Sequence, residues 1–147
     1  MRALVQRVSD ARVAVHGLEI GHIGIGLLVL LGIRCDDTPA RAELLARKIV
    51  QLRIFPDDTG KMNRSLLEIS GEMLVVSQFT LYGETQKGNR PSYSEAAKPE
   101  IAEPLYEYFL KVCRDRGISV SSGAFQAYMQ VRLVNDGPVT LMCYSES

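Results

Sequence analysis

Hydrophobic and polar positions divide the 147 residues into strands and two helices. The most telling stretch is Met73-Leu74-Val75-Val76, an unbroken apolar run of the kind found in a strand buried on both faces. It leads straight into Ser77-Gln78-Phe79-Thr80-Leu81, where polar side chains surround one aromatic ring. Residues 82–91 then carry the breakers Gly83, Gly88 and Pro91 and the charges Lys87 and Arg90. A buried strand with a polar mouth and a glycine-bearing loop is a common place for a site, and also how a core strand ordinarily meets solvent. The pattern alone leaves both readings open.

The same patterning predicts the other elements. Residues 3–8 read as a strand, and residues 12–16 as another, with Val13 and Val15 on one side. The His16-Gly17 break predicts a hairpin into residues 18–23, followed by a strand over 27–33. Thr38 can cap a helix over 39–52 with Pro39 at its first position. Ala42, Leu45, Ala46, Ile49 and Val50 form its apolar face. A second helix ends at Arg116, before Gly117, with Ile101, Leu105, Tyr108, Phe109, Val112 and Cys113 as its apolar face. Pro104 predicts either a bend in a helix from Pro99 or a regular part starting at Glu103. Residues 119–121, 126–134 and 139–144 are strand-like, with Asn135-Asp136-Gly137-Pro138 as the turn between the last two. The expected fold class is mixed α/β: one domain over 1–147, about seven strands, and two helices packed on one side of the sheet system.

Composition changes this picture little and excludes several functions. Apolar residues are 46% and charged residues 23%, and Lys+Arg balances Asp+Glu at 17 each. Nothing global draws the chain to long stretches of phosphate, so no DNA partner is expected, while contact with the end of an RNA stays open. Cys35, Cys113 and Cys143 lack any CxxC spacing and read as reduced thiols. Residues 1–7 are interrupted by charge, unlike a signal peptide, and the apolar run over 25–33 is far below the ~20 residues that span a bilayer. A soluble cytoplasmic protein with no membrane partner is expected.

Familiar catalytic sets are missing from the sequence. The only histidines, His16 and His22, lie in the expected amino-terminal hairpin, and Ser77 is not in a G-x-S-x-G elbow. There is no zinc-ligand spacing and no P-loop, and Gly21, Gly24 and Gly26 precede a strand rather than the helix a dinucleotide site needs. Asp57 and Asp58 lack a spaced ligand set and read as a solvated turn. Neither metal nor cofactor is expected. Two local features are left: Ser77-Gln78-Phe79-Thr80, and Gly137-Pro138, which on its chemistry reads as a structural turn.

A set of motifs spread over the whole chain resembles the D-aminoacyl-tRNA deacylases. They are Arg7-Val8 with Ala11, the Gly26-to-Gly32 run, Arg53-Ile54-Phe55, Gly60-Lys61-Met62-Asn63, Ser77-Gln78-Phe79-Thr80-Leu81, Arg90-Pro91-Ser92, Met129-Gln130-Val131 and Asn135-Asp136-Gly137-Pro138-Val139-Thr140. The Ser77 and Asn135 motifs are the specific ones; Tyr93 departs from the Phe usual after Pro-Ser. The resemblance implies a homodimeric enzyme that hydrolyses the ester between a D-amino acid, or glycine, and the 3′-terminal adenosine of tRNA. It implies that Ser77, Gln78, Phe79 and Thr80 line the pocket, and that Gly137-Pro138, with a cis bond, enters from the partner subunit to exclude L side chains. Arg7 would orient that turn, and Phe125 and Met129 would border the adenine. Water would be activated with help from the substrate's 2′-hydroxyl, backbone N–H groups near Phe79 and Thr80 would hold the oxyanion, and Thr80 would position rather than attack. Lys87, Arg90 and Lys98 stand near the pocket loop within reach of phosphates, though the simpler reading of each is a solvated charge. Rival readings are a non-catalytic RNA-end binding module, a relative accepting L-amino acids through a trans Gly-Pro bond, and a small-molecule esterase.

Overall fold

Two of the expected strands are one. In the computed structural model, which describes residues 1–145, β1 runs unbroken over Arg2–Val15. Its Ala3 and Val5 belong to the larger apolar cluster, whereas Val8, Ala11 and Val13 belong to a second cluster on the opposite face. The change of face coincides with register irregularities on either side of Val8, which bend the strand. His16 and Gly17, at φ 50° and 78°, make the two-residue turn into β2 (Leu18–Ile23).

The remaining strands are β3 (Gly26–Gly32), β4 (Phe55–Pro56), β5 (Met62–Arg64), β6 (Glu72–Ser77), β7 (Ser119–Ser122) and β8 (Gln130–Tyr144). The main sheet has the order β2-β1-β3-β6-β7, and β8 pairs antiparallel with β1 along most of its length. β3, β6 and β7 are mutually parallel, and β4 and β5 form a small separate ribbon. The sheet curls until β2 approaches β7: a Cβ at Gly21 would stand 3.2 Å from the Ser122 carbonyl oxygen. The curl gives a barrel-like sheet, whose inner face holds Leu28, Leu74 and Val76.

Helices α1 (Pro39–Gln51) and α2 (Pro99–Asp115) cover the other face, over Leu27, Val29, Leu31, Met73 and Val75. β6 is therefore buried on both faces, as its apolar run predicts. α1 buries Ala42, Leu45, Ala46, Ile49 and Val50, the predicted face, and Thr38 Oγ1 caps it by accepting from the Arg41 amide. On α2 the buried face differs: Ala102, Tyr106 and Leu110 are buried with Leu105, Phe109, Val112 and Cys113, while Ile101 is exposed and Tyr108 only half-buried. The expected face was drawn from hydropathy alone, and packing against β6 and α1 selects a stripe rotated towards Tyr106. Pro104 lies inside the continuous helix on its exposed side, where water can reach the Glu100 carbonyl that loses its amide partner.

The last correction concerns residues 135–138. They are no hairpin turn between two strands, because β8 runs through them with β1 as its partner on both sides. Asn135 pairs with Val8 and Thr140 with Gln6, so residues 136–139 bulge out opposite Arg7. The strand expected from residue 126 begins only at Gln130.

Candidate active site

The carboxyl end of β6 opens into a cleft. The Gln78 amide donates to the Leu31 carbonyl at 2.8 Å, extending the β3–β6 ladder one residue past the strand. The chain then tightens into a 3-10 turn over Phe79–Tyr82, whose Leu81 amide donates to the Gln78 carbonyl at 3.2 Å. The amides of Phe79 and Thr80 come before that bond and so have no acceptor within the turn. Tyr82 is buried beneath the Arg2 guanidinium, 4.2 Å from the ring centroid, which fixes the far end of the turn. The Gln78 side-chain amide donates to Thr80 Oγ1, and Phe79, half exposed, packs edge-on to Tyr93 with ring centroids 5.2 Å apart.

The cleft has a volume of about 770 Å³ and three walls. Ser77, Gln78, Phe79 and Thr80 form the first, polar wall. Phe125 and Met129, on the segment between β7 and β8, form an apolar second wall. That segment is tied to β6, because the Gly123 amide donates to the Val75 carbonyl at 3.0 Å and Tyr106 Oη to the same oxygen at 2.9 Å. Tyr106 also stacks, tilted, on Phe125 at 5.7 Å, and burial pushes its hydroxyl pKa up to about 12. Met129 rests directly on Gly123, where an added Cβ would come within 2.6 Å of its sulfur.

The third wall is the start of α2, with Ala97, Lys98, Pro99 and Ala102. Of this wall sequence reasoning named only Lys98, as a charge near the pocket loop. The wall's one other legible signal was small residues flanking a Pro at a helix start, which leave room for a ligand.

The cleft brings together Ser77, Gln78, Phe79, Thr80, Phe125 and Met129, and leaves Arg7 and Gly137-Pro138 outside. Arg7 pairs with Leu27 on β3 while Ser77 pairs with Leu31, so the two lie four residues apart along β3, about 13 Å. Gly137 and Pro138 are exposed and joined by a cis peptide bond. Arg7 Nε donates to the Asp136 carbonyl and Nη1 to the Ile54 carbonyl, both at 2.7 Å. Asn135 closes the base of the bulge: its Oδ1 accepts from the Val139 amide at 2.8 Å and its Nδ2 donates to Thr140 Oγ1 at 2.9 Å. Gly137 has φ +152°, and a Cβ there would lie 2.8 Å from the Val139 nitrogen and 3.2 Å from Arg7 Nη2, so no other residue fits without strain.

No carboxylate or imidazole lines the cleft among the described residues. His22 is engaged elsewhere, its Nε2 2.8 Å from Asp10 Oδ1, and hydrogen bonds from Arg12 and then His22 hold the Asp10 carboxyl below its usual range. Among the described residues no group of His, Cys, Asp and Glu could hold a metal ion. The Asp57 carboxylate is spent on its own turn, accepting from the Thr59 and Lys61 amides and from Asn63 Nδ2. The cleft can therefore bind a flat apolar group on one side and present hydroxyl, amide and backbone N–H groups to a carbonyl on the other.

Solved structures share this architecture. A structure titled as a probable eukaryotic D-amino acid tRNA deacylase shares the fold at TM-score 0.83, with 20% identity over 97% of each chain. At that identity it speaks for the fold alone. A second, named c-Myc DNA Unwinding Element Binding Protein, aligns over 100% of both chains at TM-score 0.94 and 45% identity. That name describes its bearer, and at the level of sequence the decisive matches are others. A family model described as D-Tyr-tRNA(Tyr) deacylase matches residues 4–144. The D-aminoacyl-tRNA deacylase of Thermosipho africanus is 57% identical over 146 residues, 99% of this chain and 98% of the relative. That of Roseiflexus castenholzii is 61% identical over 142 residues, 97% and 90% of the two chains. The chain belongs to the D-aminoacyl-tRNA deacylase family, a family of hydrolases.

Proposed function

We propose that this protein hydrolyses the ester of D-aminoacyl-tRNA, releasing the D-amino acid and free tRNA, and treats glycyl esters the same way. The observation that carries this reading is the division of the cleft into a polar wall at Ser77–Thr80 and an apolar wall at Phe125 and Met129. The apolar wall takes the terminal adenine. The polar wall takes the aminoacyl carbonyl, with the Phe79 and Thr80 amides directed at the oxyanion that develops during attack. Among the described residues no side chain of the cleft is a ready general base, so the substrate's own 2′-hydroxyl helps to activate water. Thr80, already accepting from Gln78, orients the substrate.

Gly137-Pro138 completes the site from a second copy of the chain. In its own chain the bulge lies outside the cleft lining and is braced by Arg7, which suits a rigid element meant for a neighbour. β8 also offers a free edge with Val134, Leu141, Met142 and Tyr144 exposed, a surface suited to a homodimer. Carbonyls of the inserted turn occupy the space an L side chain would need, so L-aminoacyl-tRNA is refused while D and glycyl esters are admitted. The work is that of a soluble enzyme in the compartment of translation, and no helix among the described residues is long and apolar enough to cross a membrane.

The test is release of matched D- and L-tyrosine from tRNA by the purified protein, with Gly137→Ala alongside. D-tyrosine should be freed and L-tyrosine retained, and Gly137→Ala should lose at least about tenfold in kcat/KM, or about 1.4 kcal/mol. A folded protein that releases neither enantiomer sinks the enzyme in favour of an RNA-end binding module. Release of the L form reverses the role given to the turn.

A further inference from the structure

Among the described residues Lys98 is the only formally charged one in the cleft lining. It stands at the start of α2, where its carbonyl accepts from the Ile101 and Ala102 amides at 3.0 and 2.9 Å. Its ammonium has no ion-pair partner among the described residues, although neighbouring cations do. Arg34 reaches Glu95 at 3.7 Å and Asp36 at 3.4 Å, and Arg41 reaches Asp37 at 3.4 Å. The positive end of the α2 dipole lies at the same wall, offset in part by Glu100 in its first turn. Lys98 is itself exposed, and as a cation without an ion-pair partner among the described residues it gives the cleft rim a local preference for an anion.

The occupant proposed above brings one. A terminal adenosine has three parts: the base, the ester-bearing edge of the ribose, and the phosphodiester on its 5′ oxygen. The base goes to Phe125 and Met129 and the ester to Ser77–Thr80, which leaves the α2 wall for the phosphate. We infer that Lys98 binds the 5′-phosphodiester of the terminal adenosine, making the ligand of the cleft a nucleotide rather than a nucleoside. This rests on the deacylase reading for the orientation of the substrate. The phosphate keeps its charge throughout ester hydrolysis, so the contact strengthens binding of ground state and transition state alike and acts on KM rather than kcat.

The test separates phosphate binding from turnover. Adenosine and adenosine 5′-monophosphate are titrated into the protein at low salt, following the Met129 methyl resonance. The wild type should bind the monophosphate about three- to tenfold more tightly than adenosine, as expected for one phosphate contact. Lys98→Ala should bring the two affinities together, and Lys98→Arg should restore the preference. Lys61→Ala, which removes an exposed cation from the turn before β5, should leave the preference intact. Equal affinities in the wild type, or a preference that survives Lys98→Ala, overturns the assignment. So does failure of both ligands to move the Met129 signal. Preference for the monophosphate in a protein that releases no D-amino acid would leave Lys98 in place and remove the deacylase reading. With D-tyrosyl-tRNA, Lys98→Ala should raise KM about three- to tenfold at unchanged kcat and reduce the salt slope by about 0.7, the share of one contact to a single strand.

Discussion

Thr80 decides between two chemistries. Its oxygen accepts from the Gln78 side-chain amide, so its hydroxyl proton is left to donate, and no carboxylate or imidazole lining the cleft among the described residues could remove that proton. A nucleophile in that position would lack activation; a donor aimed at substrate would not. Thr80→Ser should therefore keep kcat/KM within about threefold of wild type, and Thr80→Val should lose about 10- to 100-fold, roughly 1.4 to 2.7 kcal/mol. Loss of 10⁴-fold or more in Thr80→Val, with a covalent aminoacyl-enzyme trapped on the wild type, would show attack by Thr80. At this scale the sequence was informative because the polar wall is local. Ser77, Gln78, Phe79 and Thr80 are consecutive, so their proximity needed no tertiary argument. Phe125 and Met129 came only through family resemblance, since an aromatic and a thioether in a loop carry no signal of what they face. Lys98 read as a solvated charge because sequence does not show which cations lack a counter-charge.

Among the elements, α2 has the most to do with how the cleft is held. Tyr106 reaches from it to the Val75 carbonyl, the same oxygen that takes the Gly123 amide, and its ring lies against Phe125. Tyr106→Phe removes one buried hydrogen bond while the oxygen keeps its second donor, so it should cost about 1 kcal/mol at neutral pH and lower Tm by about 2–4 °C. Burial raises the Tyr106 pKa from 10.0 to about 12. In that window the unfolded chain has lost the proton and the folded chain still holds it. The stability is thus fully present below pH 10 and is lost as pH rises through about 12. Cys113, raised from 9.0 to about 12 by burial, adds a loss of the same sign. Denaturant midpoints measured from pH 8 to 12 should fall less steeply for Tyr106→Phe than for wild type; parallel curves would show that the hydroxyl ionises normally in the fold. The face of α2 was the misread part of the helices. α1 offered one apolar stripe and buried it, whereas α2 has apolar residues around more of its circumference, and contact with β6 and α1 chooses among them.

For the whole molecule, the open question is the number of copies that make one site. Arg7, which braces the Gly137-Pro138 bulge, stands about 13 Å along β3 from Ser77 in the same chain. If the turn serves a neighbour's cleft, defects in the two places should complement. Gly137→Ala and Gln78→Ala, each first measured alone to fix its residual activity, are dissociated together and reassociated. Random pairing makes half the dimers mixed, each with one intact cleft facing one intact turn, so about a quarter of wild-type activity should return. No recovery, in dimers shown by mass to be mixed, would confine the site to a single chain.

What the sequence determined by itself is local: the doubly buried β6, the capped α1 with its apolar stripe, the His16-Gly17 hairpin, and the polar stretch at Ser77–Thr80. Each depends on residue spacing and on backbone preferences acting over a few positions. The tertiary structure decided the rest. It joined two apparent strands into β1, turned the apparent hairpin at Asn135 into a bulge of β8, and chose the buried face of α2. It also set Lys98, without an ion-pair partner among the described residues, into the cleft wall. These features depend on which partner each segment meets. Partner choice is settled by burial and hydrogen-bond satisfaction summed over distant segments, which no local window of sequence contains.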